Sequence, residues 1–264
     1  MPPLISIVTP VFNGCAKLSA TIDSVLAQDR SLFEYFVVDG GSSDGTQALL
    51  SKHKPHLRWM SEPDNGIYDA MNKGIGHTTG RFLYFLGAGD TLRPQILEEI
   101  ASLLPPPGRA FVYGNVFWEE LGRKHDGPFT KIKFSRGCIC HQAIFHERTL
   151  FDLLGSYDIR YPLAADYIFN IKCFGDKRVQ KTYLDVIIAN YEGGGISTSE
   201  DDPNFYRDAP GVIRKHLGLV PYLFCRTEML LPKSVKRWRY RSLKQIKTFI
   251  QLCQHRFSQL SRRS

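Results

Sequence analysis

Over residues 4–104 short apolar runs alternate with amphipathic stretches, and glycine, proline, asparagine or aspartate marks each change of period. Residues 4–11 alternate apolar and small polar side chains and predict a first strand that stops at Pro10. Asn13-Gly14 is a turn signal, and Leu18, Ile22, Val25 and Leu26 then recur at helical spacing. Residues 33–38 form a second buried strand ending at Asp39. Ser43-Asp44-Gly45-Thr46 supplies capping side chains for a helix over 47–53. A third strand is expected at 57–60, a helix at 67–74 entered from the Asp64-Asn65-Gly66 turn, a central strand at 82–86, and a helix at 94–104. Strands and helices alternating at this spacing predict βαβ units, hence an α/β fold with a mostly parallel central sheet flanked by helices.

Beyond residue 110 the pattern is mixed. Strands are expected near 110–116 and 179–188, with helices near 147–154 and 166–174. Asp201-Asp202-Pro203 begins a peripheral region, so the chain divides into a main domain over 1–200 and a helical extension over 201–264.

Composition narrows the class. A chain of 264 residues with 43% hydrophobic side chains can bury a substantial core. No apolar run approaches the roughly 20 residues of a membrane-spanning helix. The N-terminus lacks the basic flank and apolar core of a signal peptide, which predicts a cytoplasmic protein. The six cysteines are scattered and fit reduced thiols. Cys138-Ile139-Cys140-His141 could begin a zinc site; with no matching second pair in the sequence, packing or active-site lining is the plainer reading. The net charge of +8 is unevenly placed: from Arg226 onward eleven Lys and Arg face the single acid Glu228, giving +10 and leaving −2 for the body.

Two phosphate-binding signals are missing. There is no G-x-x-x-x-G-K-[ST] loop, and the glycines of Gly74-Ile75-Gly76-His77-Thr78-Thr79-Gly80 miss the dinucleotide spacing by one residue and follow a helix. Carboxylates at strand ends remain: Asp39 after the second strand and Asp90 after the central one. Ends of parallel strands are where open α/β sheets bind ligands. Such groups suit a base or ribose, or a divalent ion held against a diphosphate. Each also fits a turn or helix-capping aspartate.

Several motifs, in order, carry a resemblance. Pro10-Val11-Phe12-Asn13, Val37-Val38-Asp39-Gly40-Gly41-Ser42-Ser43-Asp44-Gly45-Thr46, the segment 62–74 and Leu86-Gly87-Ala88-Gly89-Asp90 resemble the successive motifs of family 2 glycosyltransferases, most closely the bacterial exopolysaccharide enzymes of the colanic-acid type. The similarity continues through Cys140-His141-Gln142, Gly155-Ser156-Tyr157-Asp158, Ala164-Ala165-Asp166-Tyr167 and Gly193-Gly194-Gly195-Ile196-Ser197. It implies a GT-A fold, a nucleotide-sugar donor and inversion at the anomeric carbon.

By that resemblance Thr9, Pro10, Val11 and Asn13 line the nucleotide pocket, Asp39 binds base or ribose, and Asp64 sits near them. Gly66, Tyr68, Asn72, Lys73, Ala88 and Gly89 complete the donor site; Tyr68 and Asn72, four apart on a helix, share a face. Asp90 is the acid expected to touch Mg²⁺ or Mn²⁺, although the usual motif has two or three acids where this one keeps one. Asp166 matches the catalytic base, with a helix cap as its bland alternative. His141 and Gln142 are candidates for diphosphate or acceptor contact, and Gly194 and Ser197 for a loop whose amides reach the phosphates.

In the tail, Leu243, Ile246, Ile250, Cys253, Phe257 and Leu260 recur at spacings of three and four among basic residues. Such a helix fits an anionic membrane surface near a lipid-linked acceptor, at the inner face of the cell membrane. It also fits docking on the enzyme or pairing in a homodimer. Nucleic acid is disfavoured, because no recognition motif accompanies the charge. The expected function is transfer of a sugar from a nucleotide-diphosphate-sugar to a glycan hydroxyl in surface-polysaccharide assembly. The alternatives are a sugar-1-phosphate nucleotidyltransferase and a non-catalytic nucleotide-sugar-binding protein.

Overall fold

The computed structural model describes residues 2–193 and 201–230. Gly194, Ser197 and the basic stretch beyond Leu230 lie outside the described residues. The first half follows the alternation read from the sequence: β1 (Ile5–Val11), α1 (Cys15–Leu26), β2 (Phe33–Asp39), α2 (Thr46–Lys52), β3 (Arg58–Ser61), α3 (Ile67–Gly76) and β4 (Phe82–Phe85). β1 is buried along its whole length and pairs in parallel with β2 on one side and β4 on the other, with β3 parallel to β2. Helices cover the faces, so these strands read as near-continuous apolar runs. Leu18, Ile22 and Val25 on α1 have no exposed area, each burial being worth about 1.5–3 kcal/mol over exposure.

The second half is mixed. β5 (Thr91–Leu92) is followed by α4 (Ile96–Leu103), β6 (Ala110–Trp118), β7 (Arg123–His125) and α5 (Lys131–Phe134). A 3₁₀ turn (His141–Ala143) then leads into β8 (Ile144–Glu147), α6 (Thr149–Leu154), α7 (Ala165–Gly175) and β9 (Gln180–Tyr191). The nine strands run β3-β2-β1-β4-β8-β6-β9-β5, with β7 beside β6. β6 and β9 are parallel, whereas β8 is antiparallel to both neighbours, β4 and β6. The sheet is therefore parallel only within β3-β2-β1-β4 and again between β6 and β9. The helix expected from residue 94 starts at Ile96, because Thr91 and Leu92 are drawn into pairing with Asn190 and Ala189.

β8 is short and was not foreseen, yet it joins the two halves. Glu147 at its end is 2% exposed and takes Arg81 Nε at 2.8 Å and the Ala110 amide at 2.8 Å. Next to it, Arg148 donates to the carbonyls of Gly80 and Ile75. His146, in the middle of β8, is fully buried among Phe85, Phe111, Phe151 and Phe169 and shares a 2.8 Å hydrogen bond with Asn170. That burial pushes its imidazole down to about 4, so it is neutral near pH 7.

α8 (Pro203–His216) starts on an Asp202 cap that accepts from the Phe205 amide at 3.0 Å; α9 (Leu219–Leu230) follows. Ala209, Ile213, Leu217 and Cys225 join the main hydrophobic core. The other oxygen of Asp202 accepts from the Leu163 amide at 3.1 Å, which fixes the chain three residues before Asp166. No helix among the described residues is long and apolar enough to cross a membrane. The five described cysteines are free thiols.

Candidate functional site

The C-terminal ends of β1, β2, β3 and β4 lie along one edge of the sheet, and the loops leaving them build one side of the site. The Asn13 amide donates to Ser42 Oγ at 2.7 Å, and Asn13 Oδ1 accepts from the Ser43 amide at 3.0 Å. Asp39 has no exposed area; its carboxylate accepts from the Ser42 amide and hydroxyl and from the Ser61 hydroxyl at 2.6 Å. Asp39 thus fastens the loops after β2 and β3 together. Thr9, Pro10 and Val11 are buried within β1, and the Thr9 hydroxyl accepts from Tyr35 at 3.1 Å. The surface offered at this end comes from Asn13, the Gly40–Ser43 backbone and Phe12, whose ring is 65% exposed.

Asp64 stands against this loop: a Cβ on Gly40 would sit 2.5 Å from Asp64 Oδ2. Its Oδ1 accepts the Gly66 amide at 2.8 Å. Gly66 has φ 106°, open to glycine and strained for other residues, and it launches α3. On α3, Tyr68 donates its hydroxyl to Asp166 Oδ1 at 2.6 Å, and Asn72 holds both the amide (3.0 Å) and carbonyl (2.9 Å) of Tyr157. The two do share a face, as their spacing predicts, and that face joins the second half of the chain. Burial first, then the adjacent Asp166 carboxylate, keeps the Tyr68 phenol well above its usual pKa, so it remains a donor. Lys73 bonds the Pro63 carbonyl at 2.9 Å and pairs with Glu62 at 2.9 Å, bracing the same turn. A groove of about 1020 Å³ runs along edge strand β3; it reaches the site at Gly41 and Glu62-Pro63, and Asp90, His141 and Asp166 do not line it.

The other side of the site depends on β8. Because β8 runs antiparallel to β4, its first residues arrive where β4 ends, and the turn before it carries His141 and Gln142 to the same edge. Gln142 donates to Asp90 Oδ2, and the Glu192 amide donates to Asp90 Oδ1 at 3.0 Å. His141 Nδ1 lies 4.0 Å from Asp166 Oδ2, and its buried Nε2 has no hydrogen-bond partner. Two consecutive residues thus connect Asp90 to Asp166. Asp166 is 8% exposed, in the first turn of α7, where the helix dipole favours negative charge. The cap position belongs to Ala164, so Asp166 is not the helix cap. Nor does Asp90 open a helix, since Thr91 enters a strand.

Asp90 is 6% exposed, and burial pushes its carboxyl above the usual range. Gly89 precedes it with φ 108°, a backbone conformation strained for any other residue, and a Cβ there would meet Glu192 Oε2 at 2.5 Å. No cluster of three ligand side chains includes Asp90 among the described residues. Each of its oxygens accepts one hydrogen bond and keeps a lone pair. A lone carboxylate with spare acceptor capacity, destabilised by burial when charged, fits a divalent cation whose other ligands come from a bound diphosphate and water. Glu192 and Phe12 were not foreseen as site residues. Glu192 pairs with Lys17 at 2.7 Å and adds negative charge beside Asp90; its place directly before the glycine run was the available signal.

Comparisons with known proteins identify the family and the fold. The profile of Glycosyl transferase family 2 matches residues 6–162. A PGL/p-HBAD biosynthesis glycosyltransferase of Mycobacterium bovis BCG is 36% identical over 253 residues, covering 90% of this chain and 98% of the relative. An uncharacterized glycosyltransferase of Mycobacterium tuberculosis is 36% identical over 179 residues, covering 64% of this chain and 68% of the relative. S. aureus TarS 1–349 in complex with UDP-GlcNAc superposes with TM-score 0.64 at 18% identity, over 80% of this chain and 66% of that one. The mannosyltransferase PcManGT from Pyrobaculum calidifontis, in complex with GDP-Man and Mn²⁺, gives 0.61 at 16% identity over 95% and 87%. With more than half its length matched by the profile and a near full-length relative above 30% identity, the chain belongs to glycosyl transferase family 2 and is a glycosyltransferase of GT-A fold.

Proposed function

We propose that this enzyme transfers a sugar, with inversion, from a nucleotide-diphosphate-sugar to a hydroxyl of a lipid-linked glycan in surface-polysaccharide assembly. The observation that carries the reading is the His141-Gln142 pair, which sets Asp90 and Asp166 at two ends of one site. The nucleoside rests at the β1 and β2 ends against Asn13, the exposed ring of Phe12 and the loop held by Asp39, with Asp64 beside it. Gly66 and Lys73 shape the turn at its flank, and Ala88 and Gly89 bring backbone toward the diphosphate. Asp90 would hold Mg²⁺ or Mn²⁺, which neutralises charge on the departing diphosphate when bound.

Asp166 accepts the proton of the acceptor hydroxyl. The freed oxygen forms its bond to the anomeric carbon from the face opposite the leaving group, and the sugar–phosphate C–O bond breaks with its electron pair on the nucleoside diphosphate. Tyr68 fixes Asp166 Oδ1, which leaves Oδ2, the oxygen nearest His141, to take the proton. A positioned base of this kind is worth about 10²–10⁴-fold. The unpartnered His141 Nε2 is a ready donor to diphosphate or acceptor.

Residues 1–200 form the catalytic part and 201–264 a peripheral one that meets an anionic membrane surface. Support comes from the +10 charge from Arg226 onward and from Leu219, Val220, Leu223 and Phe224 exposed on α9. Cosedimentation with anionic vesicles should be lost on truncation after Pro232; binding that survives truncation rejects the membrane role of the tail. Calorimetry against a panel of nucleotide sugars with Mn²⁺, followed by a hydrolysis assay, tests the activity. Binding with slow donor hydrolysis is expected. Binding with no turnover marks a non-catalytic protein, and preference for a nucleoside triphosphate marks a nucleotidyltransferase.

A further inference from the structure

A second group of ligand-type side chains lies where the β6–β7 hairpin meets the turn before β8. Val116 pairs with His125, which places the imidazole at the end of β7; Asp126 follows with φ 89°, an uncommon conformation for a residue with a side chain. Cys140 approaches from the far end of the following loop, its amide donating to Asp126 Oδ2 at 3.1 Å. His125 Nε2 is 3.5 Å from Asp126 Oδ1, and the nitrogen, oxygen and sulfur ligand atoms of His125, Asp126 and Cys140 all lie within 4.8 Å of one another.

A hydrogen-bonded lock between Asp126 and Cys140 accounts for only part of this. The Asp126 side chain is 1% exposed, and its Oδ1 is buried with no hydrogen-bond partner. Buried polar atoms are nearly always satisfied, and this orphan carboxylate oxygen stands with an imidazole and a thiol, a set of atoms that can ligate a cation. The nearest ammonium, Lys133, bonds the backbone carbonyls of Asp126 and Pro128 and lies over the Phe129 ring, so it does not satisfy that oxygen.

We propose that His125, Asp126 and Cys140 bind a zinc-class divalent ion, with the fourth position left to water. One nitrogen, one carboxylate oxygen and one thiolate make a borderline-soft donor set that favours Zn²⁺ over Mg²⁺ or Mn²⁺. Tetrahedral coordination at bond lengths of about 2.0–2.3 Å places these ligand atoms about 3.3–3.6 Å apart, so no pair closes by more than about 1.5 Å. Cys140 immediately precedes His141 and Gln142, so the ion ties the β7 hairpin to the turn that links Asp90 and Asp166. It is a positioning clamp beside the donor cation, chemically distinct from the all-oxygen site expected at Asp90.

The test is titration of reduced, chelator-stripped full-length protein with Co²⁺ alone, without nucleotide. One equivalent should bind with a thiolate-to-cobalt charge-transfer band that Zn²⁺ abolishes. Cys140→Ala should remove the band, Asp126→Asn should weaken binding at least about tenfold, and Cys138→Ala should leave the band in place. Alkylation mapped by mass spectrometry gives a readout on the unmutated protein: Zn²⁺ should protect Cys140 and leave Cys15 reactive. A wild-type protein with no charge-transfer band, a band that survives Cys140→Ala, or one lost with Cys138→Ala overturns the assignment.

Discussion

The parallel half and the mixed half of this enzyme hold their polar groups in different ways. At the ends of β1 to β3 acidic side chains accept from near neighbours, Asp39 from Ser42 three residues on and Asp64 from Gly66 two residues on, and the more distant partners lie within about 30 residues. At the junction the partners come from far along the chain. Tyr68 and Asp166 are 98 residues apart, Asp90 and Gln142 are 52, and Asp90 and Glu192 are 102. The first half is a set of preformed loops. The second half, through β8 and α7, brings Asp166, His141 and Gln142 to those loops.

If the junction is where chemistry happens, substitutions there should cost far more activity than their effect on folding suggests. Asp90→Asn should lower turnover by about 10²–10³-fold, the usual cost of losing one electrostatic stabiliser, and excess chelator should lower wild-type turnover comparably. The same variant should not lower the melting temperature of the ligand-free protein. Burial raises the Asp90 pKa above its unfolded value, so its charge costs stability as pH rises through that window, and the amide removes the charge. A turnover loss matched by a large drop in melting temperature would make Asp90 merely structural.

His146 tests the strand that joins the halves. Its folded pKa of about 4 lies below the unfolded value, so its contribution is complete above about pH 6.5 and erodes as pH falls toward 4. Denaturant unfolding should show the wild type losing roughly 3 kcal/mol more than His146→Leu between pH 7 and pH 4. Parallel pH profiles for the two proteins would place the acid sensitivity elsewhere.

The smallest expected effect belongs to Tyr68. Tyr68→Phe removes one hydrogen bond to a carboxylate, which should cost roughly tenfold in kcat with donor KM little changed. An unchanged kcat with a raised donor KM would put Tyr68 in donor binding instead.

Local pattern explains what was legible beforehand. β4 is an unbroken apolar run and β1 and β2 are interrupted only by Ser6, Thr9 and Glu34, and the turn residues around Gly66 and Asn13 announce themselves, so the parallel half was read within a residue or two. Asp90, Asp166, His141 and Gln142 were singled out through motif order, and the structure gathers them. β8 escaped because four residues carry too little periodicity, and β5 and β7 are shorter still. The contact of His125 and Asp126 with Cys140 is a product of tertiary folding across a long loop, invisible in residue spacing. Asn72 shows the converse: a polar residue on the expected helix face that holds a backbone segment.

The role of Asp166 is decided by donor affinity from calorimetry and transfer rate measured on the same preparation of Asp166→Asn. A donor Kd within about twofold of wild type and a rate at least about 10²-fold lower are expected. Near-normal transfer by that variant would contradict that role.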